Sequence, residues 1–514
     1  MNSIVLRVDN NTTYIDGRLQ SAIYQSFRKE LGYLPENSFW MIRNYKEGSN
    51  KDAPSWKSKW DGYVSTVCWN EKTCRCNIKK KGTHFPTGLL SKALSFFDAV
   101  GVTYVIQDIR NTFCKSTNYS MSDDFEYRDY QIDVINKIVG NSGYKGIDRG
   151  IIKLCTGSGK TAVSSGIIAG IGLSPTIFYV PSIELLYQAK NEIERFVRYL
   201  GKNVEVGVIG GGKKDIKDIN VMTIQTAVRS LGGVWVKYDE EDYTKDESNI
   251  DNKEEIRDLI RSAKLIICDE VQHWAAETCQ IISDNSINAQ YRIGASATPY
   301  RDSGDDILID ACFGRVIADI NASFLIKRNY LVKPTIYFSS TSRLTGLSKS
   351  SYPALYKKAI VENGGRNKII LNLANEFKNR DRKVLILVKQ IVHGNLLEKI
   401  IPDSVFLHGS TSKKKRLKHL DVMREGKPSI TIASVIFDEG IDVRPLDTLI
   451  LAGSGKSSTR ALQRIGRILR PYGGKEDAIA VDFMDQCKYL KQHSLKRLSI
   501  YKTEEEFEII GQKS

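Results

Sequence analysis

A glycine-rich loop, residues 155–161, lies between a short apolar run and a segment with helical character. Residues 151–154 predict a buried strand, and residues 162–170 predict a helix. Backbone N–H groups in such a loop, together with the helix dipole, bind phosphate. The residues expected to hold a nucleotide's phosphates through their backbone are Thr156, Gly157, Ser158 and Gly159. Lys160 would reach the β- and γ-phosphates and Thr161 would bind Mg²⁺, although Leu154 replaces the usual first glycine of this motif.

Two carboxylates, Asp269 and Glu270, follow the apolar run 265–268. The carboxyl end of a strand is where an α/β sheet places its ligands. Asp269 is therefore predicted to hold Mg²⁺, and Glu270 to orient or deprotonate an attacking water. An acidic pair after a strand is common by itself, but its position after Lys160 in the same predicted lobe favours the catalytic interpretation.

Gln463, Arg467 and Arg470 are spaced at i, i+4 and i+7, which predicts that they share one face of a helix. Arginines placed in this way can neutralise the charge that develops on a transferred γ-phosphate. A solvated basic helix is the alternative that the spacing leaves open.

Alternating apolar runs and amphipathic segments from about Tyr127 onwards predict parallel sheets with crossover helices. The predicted strands fall into a first set, 151–154, 176–180, 221–224, 265–268 and 291–295, and a second set, 384–388, 405–407, 430–433, 448–451 and 479–481. Two α/β lobes in tandem are therefore expected. Residues 325–334 would form the hinge between them, and the hydrophilic stretch 235–255 would be an exposed insertion.

Residues 1–115 differ in composition from the rest of the chain, with four of the six tryptophans and 17 basic against 10 acidic residues. A helical pattern at 89–100 and a strand pattern at 102–106 predict a small α/β module. Lys79, Lys80 and Lys81 are expected to face a DNA duplex, and Trp60 to lie in the core, although a solvated lysine surface is the alternative. The basic run 413–416 fits a helix surface or a DNA contact equally well.

The whole chain has 514 residues, a net charge of +15 and a pI of about 9.2. Such an excess favours a polyanionic partner, with nucleic acid as the first candidate and a merely basic surface as the alternative. No apolar run approaches the ~20 residues needed to span a bilayer. The first ten residues also lack a signal-peptide pattern, so a cytoplasmic protein is expected. The nine cysteines are expected to be reduced, and zinc at Cys68, Cys74, Cys76 and Cys114 is not favoured because their spacing fits no common ribbon.

Ordered motifs between residues 127 and 482 resemble those of the superfamily 2 helicases and translocases. Besides the loop and acidic pair above, the matching segments are 127–131, 180–188, 223–226, 296–299, 407–409, 438–442 and 463–470. The resemblance implies an α/β fold with two tandem RecA-like parallel-sheet lobes after a small α/β N-terminal domain. It implies domains at 1–115, 116–325 and 326–514, and ATP with Mg²⁺ as cofactors held between the lobes.

The same resemblance implies roles for further residues. ATP contacts are expected from Arg128, Gln131, Gly440 and Asp442, nucleic-acid contacts from Ser182, Thr223 and Gln225, and interlobe coupling from Ser296, Thr298 and Gln463. Polar residues at strand ends can also be only helix caps, so the nucleic-acid contacts have that alternative. The family's usual histidine after the acidic pair is Gln272 here, and its amide can still hydrogen-bond across the cleft.

Segments 60–62, 85–89 and 363–367 resemble the phage recombination helicase UvsW and its relatives. This implies an ATP-driven enzyme that branch-migrates DNA junctions, reverses forks and unwinds D- and R-loops in phage recombination, repair and replication, in the host cytoplasm. Three alternatives stay open: a duplex translocase that does not separate strands, an RNA helicase, and a nucleic-acid annealing or binding protein without hydrolysis.

Overall fold

The computed structural model describes residues 3–35, 38, 63–69, 80–233, 253–274, 277–300, 304–341, 351–434, 443–453, 455 and 458–511. The chain forms two compact units: Met1–Leu154 with Gly159–Asp319, and Cys155–Ser158 with Ile320–Ser514. Among the described helices, none is both long and apolar enough to cross a membrane.

The N-terminal module of the first unit is built on a four-stranded sheet. Its strand order is Thr83–Pro86, Thr12–Asp16, Ser3–Val8 and Thr103–Asp108. The strand Ser3–Val8 buries alternate residues, as a sheet with one covered face requires. The helices Ser21–Glu30 and Leu90–Ala99 supply the cover, because Phe27 and Phe97 stack at 4.8 Å between ring centroids and share a core with the sheet. A short pair, Gly32–Tyr33 with Val64–Ser65, lies beside it.

The core of this module continues into the first lobe. Ile307 and Ala311, from the helix Ile307–Phe313, belong to the same apolar cluster as Phe27 and Phe97. The backbones also approach closely, since a Cβ on Gly88 would lie 2.2 Å from the carbonyl oxygen of Asp310. The N-terminal module is therefore packed onto the lobe rather than tethered to it.

We expect Gly88→Ala to destabilise the first unit by about 1–3 kcal/mol, because the added methyl group meets backbone atoms that cannot rotate away. Chemical denaturation monitored by circular dichroism measures this change. Gly364→Ala is the matched control, since a Cβ there meets no atom within 4 Å, and it should cost no more than about 0.5 kcal/mol. Equal stabilities for the two variants would contradict the close approach at Gly88.

The first lobe is an eight-stranded sheet. Its strand order is Lys213–Asp215, Val206–Gly210, Ile219–Thr223, Thr176–Val180, Leu265–Asp269, Tyr291–Ser296, Arg149–Leu154 and Val316–Ile320. The pairs from Val206–Gly210 through Arg149–Leu154 are all parallel. The helices of this lobe are Asp129–Val139, Lys160–Ile171, Ile183–Phe196, Ile224–Ser230, Lys253–Ser262, Glu277–Asn285 and Ile307–Phe313. A small sheet of Tyr119–Met121, Val197–Tyr199 and Lys202–Asn203 lies beside them.

The second lobe is a seven-stranded parallel sheet. Its strand order is Ser404–Leu407, Ser429–Ala433, Lys383–Leu387, Thr448–Leu451, Ala478–Met484, Pro334–Ser340 and Glu508–Ile510. Its helices are Ala322–Lys327, Tyr352–Tyr356, Gly364–Asn379, Ile391–Ile400, Lys413–Arg424, Ser458–Ile468 and Lys488–Tyr501, with a π-helical turn at Lys357–Val361. The predicted fold class of two RecA-like parallel lobes after a small α/β module is confirmed.

Two local predictions need correction. Ile224 begins a helix instead of ending a strand, because the Thr223 hydroxyl caps that helix by accepting from the Thr226 N–H. The predicted hinge 325–334 is partly helical, since Ala322–Lys327 forms a helix capped by Asn321. The chain passes from one compact unit to the other earlier, between Asp319 and Ile320.

Candidate ATP-hydrolysis site

The predicted phosphate loop joins the strand Arg149–Leu154 to the helix Lys160–Ile171. Gly157 and Gly159 have φ angles of +89° and +85°, a region that favours glycine. A Cβ on Gly159 would lie 2.5 Å from Nε2 of Gln131, so space as well as φ favours glycine there. Lys160 and Thr161 stand in the first turn of the following helix, as the strand–loop–helix pattern predicts.

The predicted adenine-contacting segment is anchored beside this loop. The helix Asp129–Val139 begins with a capping box in which Oε1 of Gln131 accepts from the Arg128 N–H at 3.0 Å. Gln131 is buried, and its amide lies against Gly159. The Arg128 guanidinium donates to the hydroxyl of Tyr130 at 3.2 Å.

Strand order explains why the acidic pair meets the loop. The strand Tyr291–Ser296 lies between Leu265–Asp269 and Arg149–Leu154, and all three run parallel. Asp269 pairs with Ala295, and Ser296 pairs with Lys153, so their carboxyl ends are level. Side chains from three separated segments therefore meet at one edge of the sheet.

Lys160 connects the loop to both carboxylates. Its Nζ forms an ion pair with Oε1 of Glu270 and lies 3.9 Å from Oδ1 of Asp269. All three side chains are largely buried, with 10–16% of each exposed. The Lys160 ammonium can pair with phosphate oxygens as it pairs with these carboxylates. Bound phosphate would therefore compete with Glu270 and Asp269 for Lys160.

Burial and the neighbouring charges separate the two carboxyl groups. Burial raises the pKa of Asp269, with Lys160 opposing and the Glu270 charge adding to the rise. Burial acts in the same direction on Glu270. There, however, the charge and hydrogen bond of Lys160 and the amide of Gln272 outweigh it and hold the pKa of Glu270 below its ordinary value. Glu270 is therefore ionised beside Lys160, as a carboxylate that accepts a proton from water must be.

The donor set fits Mg²⁺ held together with phosphates. The Asp269 carboxylate and the Thr161 hydroxyl are hard oxygen ligands of the kind that Mg²⁺ prefers. Among the described residues, no group of three or more His, Cys, Asp or Glu could hold a metal ion without other ligands. Mg²⁺ usually takes one or two protein ligands, with the rest from phosphate and water, and Asp269 with Thr161 would supply those two. Of the four cysteines considered for zinc, Cys74 and Cys76 lie outside the described residues.

Glu270 has a backbone φ of +50°, which is uncommon for a residue with a side chain. Its Oε2 accepts from Nε2 of Gln272 at 2.9 Å, and Oε1 of Gln272 accepts from the Ser296 hydroxyl at 2.6 Å. The Ser296 oxygen accepts in turn from the Thr298 N–H at 3.0 Å. An unbroken chain of hydrogen bonds therefore runs from Lys160 through Glu270 and Gln272 to the predicted coupling residues.

The predicted arginine segment differs from expectation at one residue. The helix Ser458–Ile468 contains Gln463 and Arg467, both buried, but it ends before Arg470. Arg470 precedes Pro471, and a residue before proline is disfavoured in helical conformation. The prediction that all three residues share one helical face is therefore wrong for Arg470.

The second unit includes Cys155–Ser158, and within it Arg470 and Gly466, the residue before Arg467, lie next to these loop residues. A Cβ on Gly466 would lie 2.5 Å from Cβ of Thr156, and a Cβ on Gly157 would lie 3.4 Å from Cγ of Arg470. Ser158 is fully buried in the same unit. Arg470 thus lies beside backbone that the sequence assigns to phosphate binding.

Sequence reasoning missed the residues that support this arginine segment. The Lys475 ammonium donates to the carbonyl oxygens of Arg470 at 2.9 Å and Arg444 at 3.3 Å. Two buried arginines bond to backbone carbonyls that precede the helix in sequence: Arg366 donates to Ala452 and Arg497 to Gly455, each at 3.1 Å. Except for the bond between Lys475 and Arg470, these contacts join residues 31 to 86 positions apart, and no local sequence pattern predicts them.

Both arginines are themselves fixed by buried carboxylates. Arg366 pairs with Asp485 at 2.5 Å, and Arg497 forms two hydrogen bonds of 2.8 Å to Asp482. The Tyr501 hydroxyl adds a bond of 3.0 Å to Asp482. The predicted resemblance at 363–367 therefore falls on a structural support of the second lobe.

Two family descriptions match this chain. They are "Type III restriction enzyme, res subunit" over residues 124–301 and "Helicase conserved C-terminal domain" over residues 365–472. The chain belongs to the superfamily 2 helicases and translocases. This helicase carries the first match on the lobe with Lys160 and Glu270, and the second on the lobe with Arg467.

Relatives agree with this assignment. The helicase is 27% identical over 394 residues to "DNA 3'-5' translocase XPB2" of Sulfurisphaera tokodaii, covering 68% of this chain and 80% of that protein. It is 23% identical over 491 residues to "ATP-dependent DNA helicase uvsW" of Enterobacteria phage T4, covering 87% and 89%. The predicted resemblance to superfamily 2 and to UvsW is confirmed, and the chain is an ATP-dependent enzyme of the helicase class.

A solved structure adds a likeness of fold. The helicase resembles "ATP-dependent Type ISP restriction-modification enzyme LlaBIII bound to DNA", with a TM-score of 0.50 and 17% identity over 82% of this chain and 36% of that one. At this identity the likeness shows the fold alone.

The residues predicted to contact nucleic acid are mostly engaged within the helicase. Ser182 and Thr223 both cap helices, and Nε2 of the buried Gln225 donates to the Pro181 carbonyl at 2.6 Å. Lys80 contacts the hydroxyl of Thr12, and Lys81 is exposed. Lys79 lies outside the described residues, as do Gly440 and Asp442, which are predicted to contact ATP. Contact with nucleic acid at Ser182, Thr223, Gln225 and the three lysines stays a prediction.

Proposed function

We propose that this helicase uses ATP to remodel branched DNA, by branch migration, fork reversal and unwinding of D- and R-loops in phage recombination, repair and replication. The observation that carries the proposal is the buried chain of contacts from Lys160 through Glu270 and Gln272 to Ser296. A pure binding or annealing protein needs no such catalytic arrangement. The choice of DNA follows from the relatives' names, a DNA translocase and a DNA helicase, and from the net charge of +15.

The chain's own residues suggest how hydrolysis proceeds. Lys160 leaves its ion pair with Glu270 to bind the β- and γ-phosphates, which frees the Glu270 carboxylate to orient and deprotonate a water. Asp269 and Thr161 would hold Mg²⁺, which neutralises phosphate charge when bound. Gln131, Arg128, Gly440 and Asp442 are proposed to bind the rest of the nucleotide. Arg467 and Arg470 stabilise the charge that develops on the γ-phosphate.

The same chain of contacts offers a route for coupling hydrolysis to movement. When Lys160 moves to phosphate, Glu270 keeps its hydrogen bond from the Gln272 amide, and the Ser296 hydroxyl bonds to Gln272 and lies 3.5 Å from Oε2 of Glu270. A shift of Glu270 is therefore passed to Ser296 and Thr298, which with Gln463 are the proposed coupling residues.

We expect Gln272→Ala to impair fork unwinding more than ATP hydrolysis, because Lys160 and Glu270 keep their own contact while the bridge to Ser296 is lost. Unwinding and hydrolysis are measured in parallel for Gln272→Ala, Ser296→Ala and the double variant. The two changes should be non-additive by about 0.5–3 kcal/mol in unwinding. Gln272→His restores the family's usual residue and should keep the coupling, whereas strictly additive losses would contradict the bridge.

The first test is ATP hydrolysis with and without nucleic acid. The substrates are synthetic forks, four-way junctions, single strands, plain duplex DNA and duplex RNA, and Glu270→Gln is the control for contaminating hydrolysis. Strong stimulation by forks and junctions, absent in the variant, is the expected result. Stimulation by RNA alone would overturn the choice of DNA, and the absence of any stimulation would favour a binding protein.

A second candidate is translocation along duplex DNA without strand separation. It is favoured by the relative named "DNA 3'-5' translocase". Displacement of a short third strand from a triplex detects translocation, and separation of a labelled fork detects unwinding. Triplex displacement without fork separation would select this second function.

A further inference from the structure

A buried polar junction joins the N-terminal module to the sheet of the first lobe. The turn 9–12 connects the strands Ser3–Val8 and Thr12–Asp16. Asn11 of this turn accepts a hydrogen bond from Nη2 of Arg292, and the carbonyl oxygen of Asn10 accepts from Nη2 of Arg149 at 2.6 Å.

The two arginines stand at the amino ends of the strands that carry the site. Arg149 begins Arg149–Leu154, which leads to the phosphate loop, and Arg292 is the second residue of Tyr291–Ser296. Arg149 and Arg292 are direct partners in the parallel register. The turn therefore contacts the strands at the ends opposite to Ser296 and the phosphate loop.

Arg292 depends on oxygen atoms that are not charged. Its side chain is 1% exposed, and no described carboxylate forms an ion pair with it. It donates instead to oxygens of Asn11, Ser283, Ser286 and Ala289. Burial lowers its pKa to about 10. A buried guanidinium is costly unless its donors are satisfied, so the acceptor from Asn11 matters for the position of Arg292.

The turn is itself held firmly. Oδ1 of Asp9 accepts from the N–H groups of Asn11 at 2.7 Å and Thr12 at 2.5 Å, and the Thr87 hydroxyl donates to the Asp9 carbonyl at 2.9 Å. The Asn11 amide also donates to the Asp284 carbonyl at 2.9 Å. Because these hydrogen bonds restrict the turn, the turn cannot move together with the strand that it contacts. It therefore holds that strand in place.

We propose that Asn11 and Arg292 are positioning residues for ATP hydrolysis, through which the N-terminal module holds the strand Tyr291–Ser296 and so sets Ser296 against Gln272 and Glu270. Only three residues lie between Arg292 and Ser296 on one strand that is hydrogen-bonded on both sides. A paired strand is a rigid element, and displacement at one end is carried to the other. The proposal rests on the role proposed above for Glu270 and Ser296.

The test compares full-length variants at saturating ATP, with a forked duplex and without nucleic acid. The variants are compared in the condition, with or without the fork, in which the wild type hydrolyses ATP faster. There Asn11→Ala is expected to lower kcat about fivefold or more, with the KM for ATP unchanged. Asn11→Asp keeps the acceptor for Arg292 but replaces the donor to the Asp284 carbonyl with a carboxylate oxygen, so it should retain more of the rate than Asn11→Ala. Asn111→Ala is the matched control. It removes an exposed amide of the same module, bonded at 2.9 Å to Asn288 outside the strand, and should behave as wild type.

Thermal unfolding of each variant separates positioning from stability. A kcat for Asn11→Ala within twofold of wild type, with only a lowered Tm, would overturn the proposal and leave the turn as a structural support. Equal losses in Asn11→Asp and Asn11→Ala would overturn it too, because the Arg292 bond would then be irrelevant. If DNA does not stimulate hydrolysis by the wild type, the proposed function fails but the positioning proposal can still be tested. The variants are then compared by their rates without nucleic acid.

Discussion

Glu270→Gln is expected to lower kcat for ATP hydrolysis by about 10²–10⁴-fold while leaving nucleotide binding in place. The amide matches the carboxylate in shape but cannot accept a proton from water. The Lys160 charge and the Gln272 amide hold the pKa of Glu270 below its ordinary value against burial, and its contact with Lys160 places its carboxylate where the phosphates are expected. Steady-state hydrolysis and titration with a fluorescent ATP analogue measure the two quantities.

Glu205→Gln serves as the control for removing a carboxylate from a lysine pair. Glu205 pairs with Lys217 at 3.0 Å, but its side chain is 81% exposed and far less buried than Glu270. Its loss should leave hydrolysis and stability essentially unchanged, because exposed ion pairs contribute little. A Glu270→Gln variant that kept a tenth or more of the wild-type rate would remove Glu270 from the role of base.

Arg467→Ala and Arg470→Ala are each expected to reduce kcat by about 10³-fold or more, with a much smaller effect on ATP binding. An arginine that meets the γ-phosphate acts mainly on the transition state, where negative charge is spread over the transferred oxygens. Arg470 lies beside Gly157, and Arg467 is buried in the preceding helix. Single-turnover hydrolysis separates the chemical step from product release.

The affinity for a transition-state mimic distinguishes the two arginines. ADP with aluminium fluoride should bind more weakly to the variant that lacks the arginine contacting the γ-phosphate. Arg424→Ala is the control, since Arg424 is half exposed and pairs with Asp421 on its own helix at 2.9 Å, and it should behave as wild type. Normal single-turnover rates in both Arg467→Ala and Arg470→Ala would contradict their proposed role.

Much of the fold followed from local pattern. Runs such as 176–180 and 448–451 coincide with strands because a strand buried on both faces must be continuously apolar. The phosphate loop was equally predictable, since Gly157 and Gly159 adopt φ values that few other residues tolerate. Errors arose where a single residue changed the local conformation, as at the helix-capping Thr223 and at Arg470 before Pro471.

The partners within the site were harder to predict. Gln272 was recognised as a departure from the family, but its bonds to Glu270 and Ser296 depend on the strand order of the sheet. Lys475 and Arg497 gave no signal, because an isolated basic residue is usually a solvated one. Their hydrogen bonds to the carbonyls of Arg470 and Gly455 are known only from the tertiary structure.

The sequence by itself determined which residues could bind phosphate, hold Mg²⁺ and activate water, because those functions require particular side chains at short spacings. It also determined the strand and helix pattern, since the spacing of buried apolar residues differs between strands and helices. Only the tertiary structure decided that Lys160 meets Glu270, that Gln272 links Glu270 to Ser296, and that Asn11 reaches Arg292. These pairs are set by strand order and domain packing, which bring together residues that no local sequence rule connects.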